Sequence, residues 1–147
     1  MKPSKVSFAD FLEKLEKKHL TFEAAGIIPR AKDTGRYLFA KRSNGVKMPG
    51  TWAGFGGEID PGETPDKAAR RELREEAAYY GRVRPRLVYV HDNKKGFKYY
   101  NFIGEVDEEF EPDLNWENLD YEWVEPGAWP KPLHPGIIDM LNHVDLD

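Results

Sequence analysis

The sequence predicts an α/β protein, a mixed β-sheet sandwiched between helices. Three observations carry this. Runs rich in β-branched and aromatic residues alternate with turn formers, as strands do. One segment, residues 65–78, has helical periodicity with start signals in place. The element order is helix, two or more strands, helix, several strands, helix, which layers helices on both sides of a sheet. The 147 residues make one ordinary domain that buries a core without staples. Residues 1–147 are read as that domain, with residues 1–20 as a helical extension.

Each element has its own signal. Ser7 caps a first helix whose Phe8, Phe11, Leu12 and Leu15 share a face, ending near His19 or Leu20. "TFEAAGIIPR" and "RYLFAKR" are strands joined by "AKDTG", so residues 21–42 form a hairpin. "SNGVKMPGTW" is a loop, and "WAGFGGEI" a short strand entering a glycine corner. Thr64 suits an N-cap, Pro65 the first helical position and Asp66 the positive end of the helix dipole. That helix runs to about Ala78, with Gly81 as its stop. "RVRPRLVYVH" is a strand with Pro85 at its start or on an edge. "NKKG" turns into the partner strand "FKYYNFIGEV", and "YEWVEP" is a last strand. "HPGIIDMLNHV" is a closing helix with Ile137, Ile138, Leu141 and Val144 as its apolar face.

Composition excludes several classes. There is no cysteine, so disulfides and thiolate metal sites are ruled out. No apolar run reaches the roughly 20 residues a membrane span needs, and the N-terminus has no secretory apolar core. The expected setting is cytoplasmic, with no membrane partner. A net charge of −4 argues against stable nucleic-acid binding. Residues 99–130 hold ten Asp or Glu and no Lys or Arg. Most of these acids are read as a solvated face, with one or two joining a functional site.

That site centres on "GGEIDPGETPDKAARRELREEAAYYG", residues 56–81. At about 100° per residue, Glu72, Glu75 and Glu76 fall within one arc of roughly 100°. Ala69, Leu73 and Ala77 form an apolar stripe beside it, and Lys67, Arg70 and Arg74 take the far side. An ion-paired surface helix is the plain alternative. The helix alone leaves it open: an Arg71–Glu75 pair offsets the Glu72–Glu76 repulsion, although the end of a helix disfavours acids. A hard divalent cation relieves the repulsion, and carboxylate oxygens suit Mg²⁺ working with substrate phosphates. Gly56 and Gly57 allow close backbone approach.

Counting from Gly57, five residues lead to Glu63, then seven to Arg71, followed by Glu72, Leu73, one residue, Glu75 and Glu76. This pattern resembles the Nudix box, G-x5-E-x7-R-E-U-x-E-E-x-G-U, where U is bulky and apolar. Every charged position matches. Ala78 replaces the last glycine and Tyr79 fills the last apolar place. The match spans Gly57 to Tyr79. The resemblance implies a Nudix-type α/β/α sandwich and Mg²⁺-dependent hydrolysis of a nucleoside diphosphate linked to another group, with Mn²⁺ as a possible substitute. It implies that Glu75 and Glu76 are the main metal ligands and that Glu72 is a ligand or general base. Arg71 orients the glutamates, Glu63 supports the loop, and the Gly56 carbonyl is a backbone ligand. An acid from a later loop often completes such sites. Glu117, in a stretch resembling E-x3-Y-x-W, is favoured for that part, and Glu122 before Trp123 is the alternative.

The substrate is less legible. Arg30 and Arg42, flanked by Lys41, are candidates to meet phosphates. Phe55 and Tyr100 are the aromatic candidates for the substrate. Tyr37, Phe39, Tyr99, Phe102 and Trp116 can also stack a base, although aromatics at strand spacing ordinarily fill the core. His91, His134 and His143 are read as structural or exposed. The leading expectation is a MutT-type enzyme that splits a nucleoside triphosphate, including an oxidised purine nucleotide, into monophosphate and pyrophosphate. A dinucleoside polyphosphate, nucleotide-sugar or ADP-ribose hydrolase is the second. A non-catalytic nucleotide sensor is the alternative from another class. The chain is expected to be a monomer or homodimer.

Overall fold

The computed structural model describes residues 21–147, so the helix expected from Ser7 lies outside the described residues. Strands β1 (Phe22–Ala31), β2 (Tyr37–Arg42), β3 (Trp52–Ala53) and β4 (Phe55–Glu58) precede helix α1 (Pro65–Ala77). Then come β5 (Arg84–Asp92), β6 (Phe97–Val106), β7 (Asn118–Val124) and helix α2 (Pro135–His143). The sheet runs β3-β2-β1-β6-β5, with β4 added to β1 and β7 to β2. It is mixed: β1 and β6 are parallel from Phe22↔Phe97 to Ala31↔Val106, and the other pairs are antiparallel.

Alternation along the strands sorts the core into two layers. Ala25, Ile27, Leu38, Ala40, Phe55 and Phe102 face α1 and meet its Ala68, Ala69, Leu73 and Ala77. Ile28, Tyr37, Phe39, Trp52, Ile103 and Val124 face α2 and meet Ile137 and Met140. The architecture is therefore the expected α/β/α sandwich. Each fully buried Ile, Leu or Phe contributes about 1.5–3 kcal/mol. Pro85 lies second in β5, an edge strand, where its missing N–H costs no ladder bond.

Several expectations are corrected. The residue 21–42 hairpin is real only near Arg30↔Tyr37. Beyond that point β1 and β2 part, as β4 pairs with the rest of that edge of β1 and β3 pairs with Ala40 and Lys41 of β2. The single strand expected in "WAGFGGEI" is two, since β3 pairs with β2 and β4 with β1. On α2, Ile138 is exposed and Met140 takes the buried place. Thr64 stands at the N-cap of α1 but makes no capping bond, and its hydroxyl donates to Asp66 at 2.6 Å instead.

The stop of α1 also differs from the expected Gly81. Ala78 itself turns left-handed (φ 54°, ψ 34°), and its N–H donates to the Arg74 carbonyl. A non-glycine residue pays roughly 1–2 kcal/mol there. Ala78→Gly relieves that cost, partly offset by a freer unfolded chain. We expect a gain of about 0.5–1 kcal/mol and a Tm rise of about 2–3 °C by calorimetry.

Candidate active site

The buried face of α1 does not stay apolar to its end. Glu72 and Glu76 are 2% and 4% exposed, whereas Glu75 is exposed. Burying two carboxylates requires partners. The Arg71 guanidinium provides one for Glu72. Its Nε and one terminal nitrogen donate to both oxygens of Glu63, at 2.8 and 3.0 Å. The other terminal nitrogen donates to Glu72 Oε1 at 3.0 Å and to Glu75 at 3.3 Å. The Glu58 carbonyl accepts at 2.9 Å, and Asp60 stands 3.4 Å away. The Arg71 hydrogen bonds hold the Glu63 carboxyl below the usual range, and Glu63 in turn raises Arg71 above its ordinary value.

Glu76 is held from the other side. Its Oε2 accepts from the Gly56 N–H at 2.9 Å, and its Oε1 from Asn118 at 3.4 Å. Glu72 presses against Gly57, where any Cβ would collide with its Oε1. Its Oε2 is buried with no hydrogen-bond partner among the described residues. An orphaned buried carboxylate oxygen in an all-oxygen donor set suits a hard divalent cation. Among the described residues, no three acidic or histidine side chains already surround one point. The carboxylates are turned onto Arg71 and Gly56, so a cation would draw Glu75 away from Arg71.

The loop before β7 closes the site. Asn115 donates from its backbone to the Glu76 carbonyl and from its side chain to the Glu75 carbonyl, and Asp113 donates to the Ala77 carbonyl. These bonds satisfy carbonyls that a helix end leaves open. The same loop holds Glu117, whose backbone N–H donates to Asn115 and whose carbonyl accepts from Ser43. Arg42 ends β2 opposite, with its Nε on the Lys47 carbonyl at 2.7 Å. Burial lowers the Arg42 pKa, while Tyr99, Glu76 and Glu117 act against that shift. Glu122 lies exposed on β7, opposite Phe39.

Three expected substrate contacts are placed elsewhere. Phe55 is fully buried in the α1 layer and can touch no ligand. Tyr100 packs against that same layer, under the helix. Arg30 faces the α2 layer, 3.9 Å from Glu105 and over the Tyr37 ring, in a separate basin with Arg84, Arg86 and Asp147. Tyr37, Phe39 and Phe102 are core as well. Tyr79 fills its place in the box by packing on Phe110, with ring centroids 4.2 Å apart.

Tyr99, named above among the aromatics that can stack a base, and His134, read as structural or exposed, both feel the charge of Arg42. Tyr99 feels the charges of Glu76, Arg42 and Glu72, and burial raises its pKa first of all. His134 caps α2, its Nδ1 accepting from the Gly136 N–H at 2.9 Å. Burial lowers its pKa to about 4, and the charge of Arg42 adds to this. The ring is therefore neutral near pH 7, with its proton on Nε2.

A family model for the NUDIX domain matches residues 20–144. The chain belongs to the Nudix hydrolases. Nucleoside triphosphatase NudI of Escherichia coli K12 is 30% identical over 114 residues, which cover 68% of this chain and 80% of that protein. A Nudix hydrolase from Nitrosomonas europaea superposes with a TM-score of 0.69 at 24% identity, over 83% of this chain and 68% of the other. A C. elegans Ap4A hydrolase does so at 0.65 and 22%, over 81% and 92%. Both structures share this fold. The protein is thus a pyrophosphohydrolase of the Nudix class, and none of its described helices is long and apolar enough to cross a membrane.

His134 also makes stability depend on pH. Its ordinary pKa of 6.5 applies unfolded and about 4 folded. The unfolded chain then binds more protons, so stability falls as pH drops from 6.5 towards 4. His134→Asn keeps a capping acceptor and removes that proton site. Denaturant titrations at pH 7 and pH 5 should show the wild type losing about 1 kcal/mol more than the variant.

Proposed function

We propose that the protein is a Mg²⁺-dependent nucleoside triphosphate pyrophosphohydrolase, releasing a nucleoside monophosphate and pyrophosphate. The observation that carries this reading is the buried, unpartnered Glu72 Oε2 beside Gly57, within carboxylates gathered by one arginine. The name of the E. coli relative, a nucleoside triphosphatase, supports the choice of substrate. Glu75, Glu76, Glu72 and the Gly56 carbonyl would hold the cation, with Glu117 joining from the loop. Glu122 lies farther along β7 and is the weaker choice.

A bound Mg²⁺ would neutralise the pyrophosphate and polarise the phosphorus under attack. The protein's own residues do the rest. Arg71 fixes the rotamer of Glu72, so its negative charge is in place before substrate arrives. Glu63 fixes Arg71 and closes the 58–63 loop, since Glu63 Oε1 also accepts from the Asp60 N–H. Glu72 serves either as a ligand of the cation or, through Oε2, as the base that takes the proton of the attacking water. Arg42 contributes a fixed positive charge to the phosphate chain. Its partial burial strengthens that contact.

A second reading, a dinucleoside polyphosphate hydrolase, is favoured by one feature, the Glu117, Tyr121 and Trp123 spacing. A product-resolved screen with Mg²⁺ separates the two. It would cover ordinary and oxidised nucleoside triphosphates, a dinucleoside polyphosphate, ADP-ribose and a nucleotide sugar. We expect pyrophosphate from a triphosphate; turnover of only the linked substrates would replace this reading with the second. Glu75→Gln should lower turnover by about 100-fold or more with the fold intact by circular dichroism. An unchanged rate at saturating Mg²⁺ would remove Glu75 from the cation site.

A further inference from the structure

Helix α1 ends where its acids stand, and a distant part of the chain holds that end. The carbonyls of Glu75, Glu76 and Ala77 each accept a hydrogen bond from the segment between β6 and β7. Two of the donors are main chain: Asp113 to Ala77 at 3.0 Å and Asn115 to Glu76 at 3.2 Å. The third is a side chain, Asn115 Nδ2, which reaches the Glu75 carbonyl at 3.3 Å. The same amide also faces the loop. Its Oδ1 accepts from the Glu117 N–H at 3.0 Å, and its Nδ2 stands 3.5 Å from Glu117 Oε1. Asn118 continues the join, its N–H on the Asn115 carbonyl and its side chain on Glu76 Oε1 at 3.4 Å.

Holding the helix end does not by itself account for this side chain. The main-chain bonds of Asp113 and Asn115 form whatever residue stands at 115. The turn to the Glu117 N–H does not need asparagine either, since a serine hydroxyl makes it more weakly. What asparagine adds is a donor rigidly opposed to its acceptor, so one planar group spans Glu75 and Glu117. Charge narrows the choice further. A cation at 115 would compete with a divalent ion for the carboxylates. An aspartate would put a further acceptor where the Glu75 carbonyl and the Glu117 carboxylate need a donor.

We propose that Asn115 is a positioning residue, which sets the Glu117 carboxylate against those of Glu75 and Glu76 so that helix and loop share one divalent cation. The proposal rests on the reading of these carboxylates as the cation site, which the buried, unpartnered Glu72 Oε2 supports independently. Groups that orient metal ligands change metal affinity by roughly 10–100-fold when they are removed.

The test titrates Mn²⁺ into the full chain without nucleotide, read from the paramagnetic resonance of the free ion. Asn115→Ala should weaken Mn²⁺ binding about tenfold, and Glu117→Gln by at least as much. Asn115→Ser keeps the turn and should lose as much as Asn115→Ala; it also serves as the reporter if circular dichroism shows Asn115→Ala unfolded. Added to Glu117→Gln, Asn115→Ser should cost less than about threefold more, because it acts through Glu117. A loss under about threefold from Asn115→Ser alone or from Glu117→Gln alone would overturn the proposal. So would the full loss from Asn115→Ser in the Glu117→Gln background. Glu76→Gln separates the two levels. If wild type binds Mn²⁺, Glu76→Gln binds it weakly and Asn115→Ser equals wild type, only the Asn115 assignment fails. If wild type binds no Mn²⁺, or Glu76→Gln equals wild type, the carboxylate reading fails first and the Asn115 assignment falls with it.

Discussion

The site depends on one guanidinium. Arg71 donates to Glu63, Glu72, Glu75 and the Glu58 carbonyl, so a single planar group spans the loop and two turns of helix α1. Arginine suits this because its donors are fixed in a fork and its charge is permanent. Hydrogen bonds to charged groups are stronger than neutral ones and lose more when one partner is removed. The glutamates would otherwise repel, and Glu72 would be a buried charge without a counter-ion. The glycine corner follows from the same constraint, since Glu72 can reach Arg71 only by pressing on residue 57.

A second constraint shapes the cleft. Strand β1 shares one edge between two partners, β2 near Arg30 and β4 near Gly26. The chain must therefore open a gap where they part. Arg42 closes the end of β2, where Ser43 bonds Glu117 of the loop before β7, and Gly56 stands on β4 against Glu76. Residues far apart in sequence meet there because strand pairing diverges.

The parts legible in the sequence were those with local signatures. Helix α1 follows from its periodicity and from Pro65. The spacing from Gly57 to Tyr79 locates the carboxylates without any tertiary information. Arg30 and Arg42 looked equivalent as basic residues at strand ends, and only the splay of β1 and β2 separates them. Phe55 lies between glycines, so the sequence alone does not show which face it takes. Tyr99 was one aromatic among several, and only the fold brings it within the charges of Glu76 and Arg42. The left-handed stop at Ala78 is legible only against the family's pattern, because alanine alone signals helix.

The parallel pairing of β1 with β6 has a consequence for how the chain acquires this structure. Phe22 waits for Phe97, and Ala31 waits for Val106, before the centre of the sheet exists. All of the carboxylate helix is synthesised between those partners. Its apolar stripe packs on Ile27 of β1 and Phe102 of β6, so it lacks half its bed until β6 has emerged. Such non-local pairing slows folding, because the chain must close a long loop before contacts reward it. During synthesis the acidic helix therefore completes its packing late. Its catalytic order arrives with the central strands and not with the short sequence that marks it.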